Sequence, residues 1–153
     1  MPTMTEEQTV QTLDIRKEEL IDAPIEIVFQ AMLDELGPET QMMDGKPMPM
    51  KLEAWPGGRW YRDLGNDNGH LWGHVQAIKR PVLLEITGPL FMSHPVVSNV
   101  QYRLTPVEGG TLIAFRHAAL GFVPDDVRAG TSRGWKALFD RVRQQAERTQ
   151  IRH

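Results

Sequence analysis

The chain has 153 residues, 17 basic against 20 acidic side chains, 13 Gly, 11 Pro and no Cys. That length suits one domain around one core, and the missing thiols exclude disulfides, thiolate metal sites and a cysteine nucleophile. A net charge of -3 argues against non-specific nucleic-acid binding, which needs a surplus of Lys and Arg to neutralise phosphates.

The opening MPTMTEEQTV is polar and aperiodic. It lacks the basic region and apolar stretch of a secretory signal, and no later run approaches the ~20 apolar residues of a membrane span. The expectation is a cytoplasmic protein with a loose tail over residues 1–11 and a single domain over 12–150. TLDIRKEELI, framed by Leu13, Ile15, Leu20 and Ile21, reads as a first strand with one wet face. Asp22 can cap a helix and Pro24 suits its first turn. In the helix PIEIVFQAML, Ile25, Val28, Phe29 and Met32 share one stripe, and Gly37-Pro38 ends it.

Thr40 to Met50 has no period but holds Met42, Met43, Met48 and Met50 among prolines and a glycine, which reads as loop. Short strands follow. KLEAW and RWYRDL flank Pro56-Gly57-Gly58 as a hairpin. HLWGHVQAIK and VLLEIT make the next pair, and VVSNVQYRLTPV and TLIAFRHAAL flank Glu108-Gly109-Gly110. Asp125-Asp126 opens a long helix to about Glu147, with Trp135, Leu138, Phe139 and Val142 as its apolar stripe and acidic groups complementing the dipole at its start. The order strand, helix, six antiparallel strands, long helix is α+β, with helices against one face of a sheet.

IDAPIEIVFQAM, WPGGRW, WGHVQAIKRPVLLEI, GGTLIAFRHAALGF and GWKALFDRV, in this order over residues 13 to 147, resemble the SRPBCC (START-like, birch-pollen-allergen) superfamily. Within it they are most similar to the branch related to activators of the heat-shock protein 90 ATPase. The resemblance implies a START-like helix-grip fold over residues 12–150: a curved antiparallel sheet wrapped around the long C-terminal helix, with a cavity between them. It also implies ligand carriers, cyclases or chaperone cofactors as relatives, without one shared catalytic motif.

His70 and His74 stand four apart, a spacing that suits metal binding on a helix. In a strand it separates them by about 13 Å, too far to share one zinc, so no metal is expected. His117 continues the alternation Ile113, Phe115, His117, and so shares an apolar face. Such a histidine serves a ligand as acid, base or hydrogen-bond partner, or is a core histidine with a backbone partner. Trp60 and Arg62 share a strand face. If Arg62 faces the interior it needs Glu53, Asp63, Glu85 or a ligand carboxylate beside it; otherwise it reaches solvent along its stem. The methionines suit a lid or an apolar contact surface, or fill gaps in the core. No serine sits in a Gly-x-Ser-x-Gly elbow and no glycine-rich loop has phosphate spacing.

The leading expectation is a domain holding a small apolar or amphipathic molecule, with no cofactor. Trp60, Tyr102, Phe115, His117, Trp135, Leu138 and Phe139 would line the cavity, and Arg62 or His117 would fix a polar end. The alternatives are a chaperone-cofactor module docking a protein partner, and a cyclase or hydrolase using scattered pocket groups. A homodimer is compatible with base rates.

Overall fold

A computed structural model describes residues 9–152. Seven strands, β1 (Gln11–Ile21), β2 (Lys51–Leu52), β3 (Arg59–Gly65), β4 (Asn68–Lys79), β5 (Leu83–Gly88), β6 (Val96–Val107) and β7 (Gly110–Gly121), form one sheet. Helices α1 (Ile25–Leu36) and α2 (Asp125–Arg152) complete it. The strand order is β1-β7-β6-β5-β4-β3-β2, and every pairing is antiparallel. This is the helix-grip α+β architecture. Residues 1–8, most of the expected tail, lie outside the described part.

Alternation on the central strands decides which face meets the helices. Val96, Ser98, Val100, Tyr102 and Leu104 of β6 are buried, as are Thr111, Ile113, Phe115, His117 and Ala119 of β7. Side chains two apart point the same way on a strand, so these form one continuous inner face. From α2, Trp135, Leu138, Phe139, Val142 and Ala146 pack onto it. Tyr102, Phe115, Trp135 and Phe139 make a closed aromatic cluster, with Phe115 to Trp135 centroids 4.8 Å apart and Phe115 to Phe139 5.1 Å. Each such pair contributes about 1 kcal/mol beyond the area it buries. Val28, Phe29, Met32 and Leu36 of α1 belong to the same core.

Three local features depart from expectation. Pro24 itself is the N-cap of α1, with no side-chain cap, and Asp22 is exposed, in a bend where the Ala23 N–H donates to the Ile21 carbonyl at 2.9 Å. KLEAW is a strand only at Lys51–Leu52. Beyond it Gly58 lies hard against the Glu53 carbonyl and the Glu53 carboxyl accepts the backbone N–H of Arg59 at 2.8 Å, curling the segment into a turn. Finally, α2 runs to Arg152, one turn past the expected end. No helix among the described residues is long and apolar enough to cross a membrane.

The ladder between β3 and β4 is interrupted by a bulge. Trp60 is opposite Gly73 but Tyr61 is opposite Leu71. Trp72 is therefore an extra residue on its strand, and such a residue re-aims its side chain. It turns inward beside Trp60, ring centroids 5.1 Å apart and nearly perpendicular.

Candidate ligand-binding site

Beside the aromatic core the inner face opens into a pocket of ≈ 580 Å³, within the range of small-molecule sites. Its floor is Trp60 and Trp72 from the sheet and Trp135 and Leu138 from α2. Met42, Met43 and Met48 from the segment after α1 form one side. Phe91 and Met92, from the loop between β5 and β6, form the other. The walls are predominantly apolar, and the small residues Gly130 and Gly134 on α2 leave the space that larger side chains would fill.

Each wall is fixed by a bond traceable to the sequence. The Trp60 indole donates to the Leu36 carbonyl at 2.7 Å, using one of the carbonyls that the last turn of a helix leaves unpaired. Thr40 Oγ1, 2.8 and 2.9 Å from the Glu35 and Gly37 carbonyls, secures the start of the methionine segment. On the opposite side Leu90 has φ +59°, an uncommon left-handed conformation for a branched residue. It is held there because its side chain is buried and its N–H donates to the Trp72 carbonyl at 2.7 Å. Phe91 is thereby set edge-on to both Trp72 (5.8 Å) and Trp135 (5.9 Å).

His117 lies behind this pocket and does not line it. It is fully buried. Its Nδ1 accepts the Trp135 indole N–H at 3.0 Å and its Nε2 is 2.9 Å from Ser98 Oγ. An indole nitrogen only donates, so Nδ1 carries the lone pair and the ring proton sits on Nε2, donated to Ser98. Burial lowers the pKa of His117 to about 4. The ring is neutral, both nitrogens are engaged, and no lone pair is left for a substrate.

The eight expected site residues divide accordingly. Trp60, Trp135 and Leu138 line the pocket. Tyr102, Phe115, Phe139 and His117 sit in the packed interior beneath it. Arg62 turns aside and donates to the Pro49 carbonyl at 2.5 Å. The carboxylates expected beside it have other partners: Glu53 holds Arg59 at 2.8 Å, Asp63 holds Lys51 at 2.9 Å, and Glu85 accepts from Gln101 at 2.5 Å. His70 and His74 are exposed along β4.

The pocket also holds Glu35, Arg141, Trp72 and Phe91, none of them among the expected site residues. Glu35 of α1 is buried, and its carboxylate accepts Arg141 Nε of α2 at 3.0 Å. Burial pushes the Glu35 carboxyl above its ordinary value, and the Arg141 hydrogen bond and charge only partly oppose it. A signal existed: Val28, Met32 and Glu35 follow helical spacing, so Glu35 falls on an apolar stripe where an acid is out of place. Trp72 and Phe91 had no such signal, since one depends on a bulge and the other on a loop.

The family model described as Activator of Hsp90 ATPase homolog 1-like protein matches residues 22–147. The chain belongs to this family. Solved structures agree with that assignment in fold. A protein from Rhizobium leguminosarum superposes with a TM-score of 0.73 at 16% identity, over 94% of this chain and 99% of that one. A Bacillus halodurans protein gives 0.64 at 23% identity, over 87% and 96%. An AHSA1-like protein from Aeromonas hydrophila gives 0.63 at 18% identity, over 90% and 94%. No curated protein matches the chain in sequence. In this member of the family, the matched region includes every wall of the pocket.

Proposed function

We propose that this protein binds an apolar or amphipathic small molecule, with residues 12–150 acting as one helix-grip unit. The observation that carries this reading is the ≈ 580 Å³ pocket, apolar on most of its wall and floored by three tryptophans. Trp60, Trp135 and Leu138 contact the ligand directly. Tyr102, Phe115, Phe139 and His117 act one layer back, holding Trp135 in place, while Arg62 secures the methionine segment through Pro49. Burial of the ligand against aromatic and methionine side chains supplies affinity, and a few polar groups supply orientation.

A second reading, a protein-docking module, draws on the family name and on Val97 and Leu120. These are paired across β6 and β7 on the outer face of the sheet, 64% and 55% exposed. Native mass spectrometry of freshly purified protein separates the two and reads the subunit count directly. A co-purified small molecule, or a raised Tm across a panel of aromatic compounds and lipids, supports the first; saturation at a hundredfold over Kd stabilises by about 2.7 kcal/mol. No bound mass and no shift anywhere in the panel overturns it.

A further inference from the structure

The polar end of the pocket carries a recognisable pattern. Glu35 and Arg141 are the only carboxylate and guanidinium among its lining residues, and they neutralise each other through the 3.0 Å contact of Arg141 Nε with Glu35 Oε1. Their side chains are 8% and 18% exposed. Among the described residues, Glu35 Oε2 and the two terminal nitrogens of Arg141 have no other hydrogen-bond partner. The pair thus brings an acceptor oxygen and N–H donors to the pocket lining with no net charge, beside the neutral polar residues Thr40, Gln41, Ser93 and Thr131 and His94. In the same pocket, the rings of Trp60, Trp72, Phe91 and Trp135 run edge to face in an unbroken series, centroids 5.1, 5.8 and 5.9 Å apart.

Resting on the ligand-binding reading above, we infer that the ligand is a flat aromatic molecule whose polar end is an uncharged hydroxyl seated on the Glu35–Arg141 pair, and that the site rejects carboxylates. A hydroxyl both donates and accepts, so it gives its proton to Glu35 Oε2 and receives an N–H from Arg141. A carboxylate only accepts. It would meet the Glu35 charge within a few ångströms, in a place where water screens little, and would have to compete for a guanidinium already paired. The ring series suits a flat aromatic body, since edge-to-face and offset contacts are favoured over plain apolar contact. Aliphatic alcohols satisfy the hydroxyl but not the rings.

The test compares 2-naphthol with 2-naphthoate by isothermal titration calorimetry near neutral pH, where the first is neutral and the second charged. Wild-type protein should bind the naphthol at least about tenfold more tightly. Glu35→Gln retains an oxygen to accept from Arg141 but frees the guanidinium charge, so the order of the two probes should reverse. Arg141→Gln should move the ratio the other way and reject naphthoate more strongly. Circular dichroism melting establishes that each variant is folded, and either variant alone suffices to read the ratio. Equal or tighter naphthoate binding by the wild type, or an unchanged ratio in the folded variants, overturns the inference. Binding of neither probe, with other panel compounds bound, overturns it while leaving the ligand-binding reading standing. Failure of the whole panel removes both.

Discussion

Trp135 donates its indole N–H to Nδ1 of His117 at 3.0 Å, so a residue of the pocket floor is clamped by a histidine that never sees the pocket. The contact sets the histidine tautomer and couples the position of α2 to the protonation state of β7. Protonating His117 would put a second proton where the Trp135 N–H already points.

That coupling gives stability a definite pH dependence. Unfolded His117 takes up a proton near 6.5, whereas the folded ring resists until about 4. Between those values the unfolded chain binds more protons, so stability falls as pH drops through the window and levels off below it. The loss is about 3 kcal/mol. His117→Gln, whose amide can accept from Trp135 and donate to Ser98, should lack this component. Urea unfolding of both proteins across the window checks it, and parallel curves would remove His117 as the cause.

Tyr102 offers the opposite kind of prediction. Its hydroxyl is buried without a hydrogen-bond partner among the described residues, and burial raises its pKa well above the ordinary value. An unpaired buried hydroxyl costs stability. Tyr102→Phe should therefore stabilise the protein by about 1 kcal/mol, seen as a higher urea midpoint with an unchanged slope. A lower midpoint would show that the oxygen has a partner in solution.

Replacing Trp60 with Phe keeps an aromatic ring but strips the Leu36 carbonyl of its buried donor. The expected cost is about 2 kcal/mol, accompanied by weaker ligand binding because the end of α1 shifts. A variant as stable as wild type, with ligand affinity intact, would mean that the indole bond fixes nothing.

Gly88 is a close-approach position. A Cβ there would stand 2.5 Å from both Gly73 Cα and the Trp72 carbonyl oxygen, all backbone, which cannot move aside as a flexible side chain can. Gly88→Ala should cost about 3 kcal/mol, since strands β4 and β5 must part. The thermal midpoint is the readout, and a loss under about 0.5 kcal/mol would show that the sheet relaxes there.

Met43 separates a binding role from a packing role. It lines the pocket yet is 66% exposed, so Met43→Ser should leave Tm almost unchanged while weakening an aromatic ligand several-fold. Calorimetry and melting on the same variant give the two numbers. If Tm falls and affinity does not, the methionine segment is filler.

Much of this architecture was legible in the chain because its periodicities are local. Val100, Tyr102 and Leu104, or Ile113, Phe115 and His117, alternate in a way that only an inward strand face explains. Trp135, Leu138, Phe139 and Val142 do the same for the helix. The pocket was less legible because its walls depend on departures from periodicity. Trp72 turns inward only through the bulge opposite Trp60 and Tyr61, and Phe91 only because Leu90 adopts a left-handed backbone. The Glu35–Arg141 pair joins positions 106 apart, a closeness that strand and helix patterns do not encode. Tyr102, Phe115 and Phe139, read as lining, are close enough to one another to fill their own space.

The distribution of tryptophan has an optical consequence. Of the four in the chain, Trp60, Trp72 and Trp135 line the pocket, while Trp55 is 58% exposed in the turn after β2. Intrinsic emission therefore divides into a blue component from the pocket and a red one from Trp55. Iodide should quench only the red light, and a bound aromatic molecule only the blue. Occupancy of the pocket can then be followed in the unlabelled wild-type chain, with Trp55 as its built-in reference.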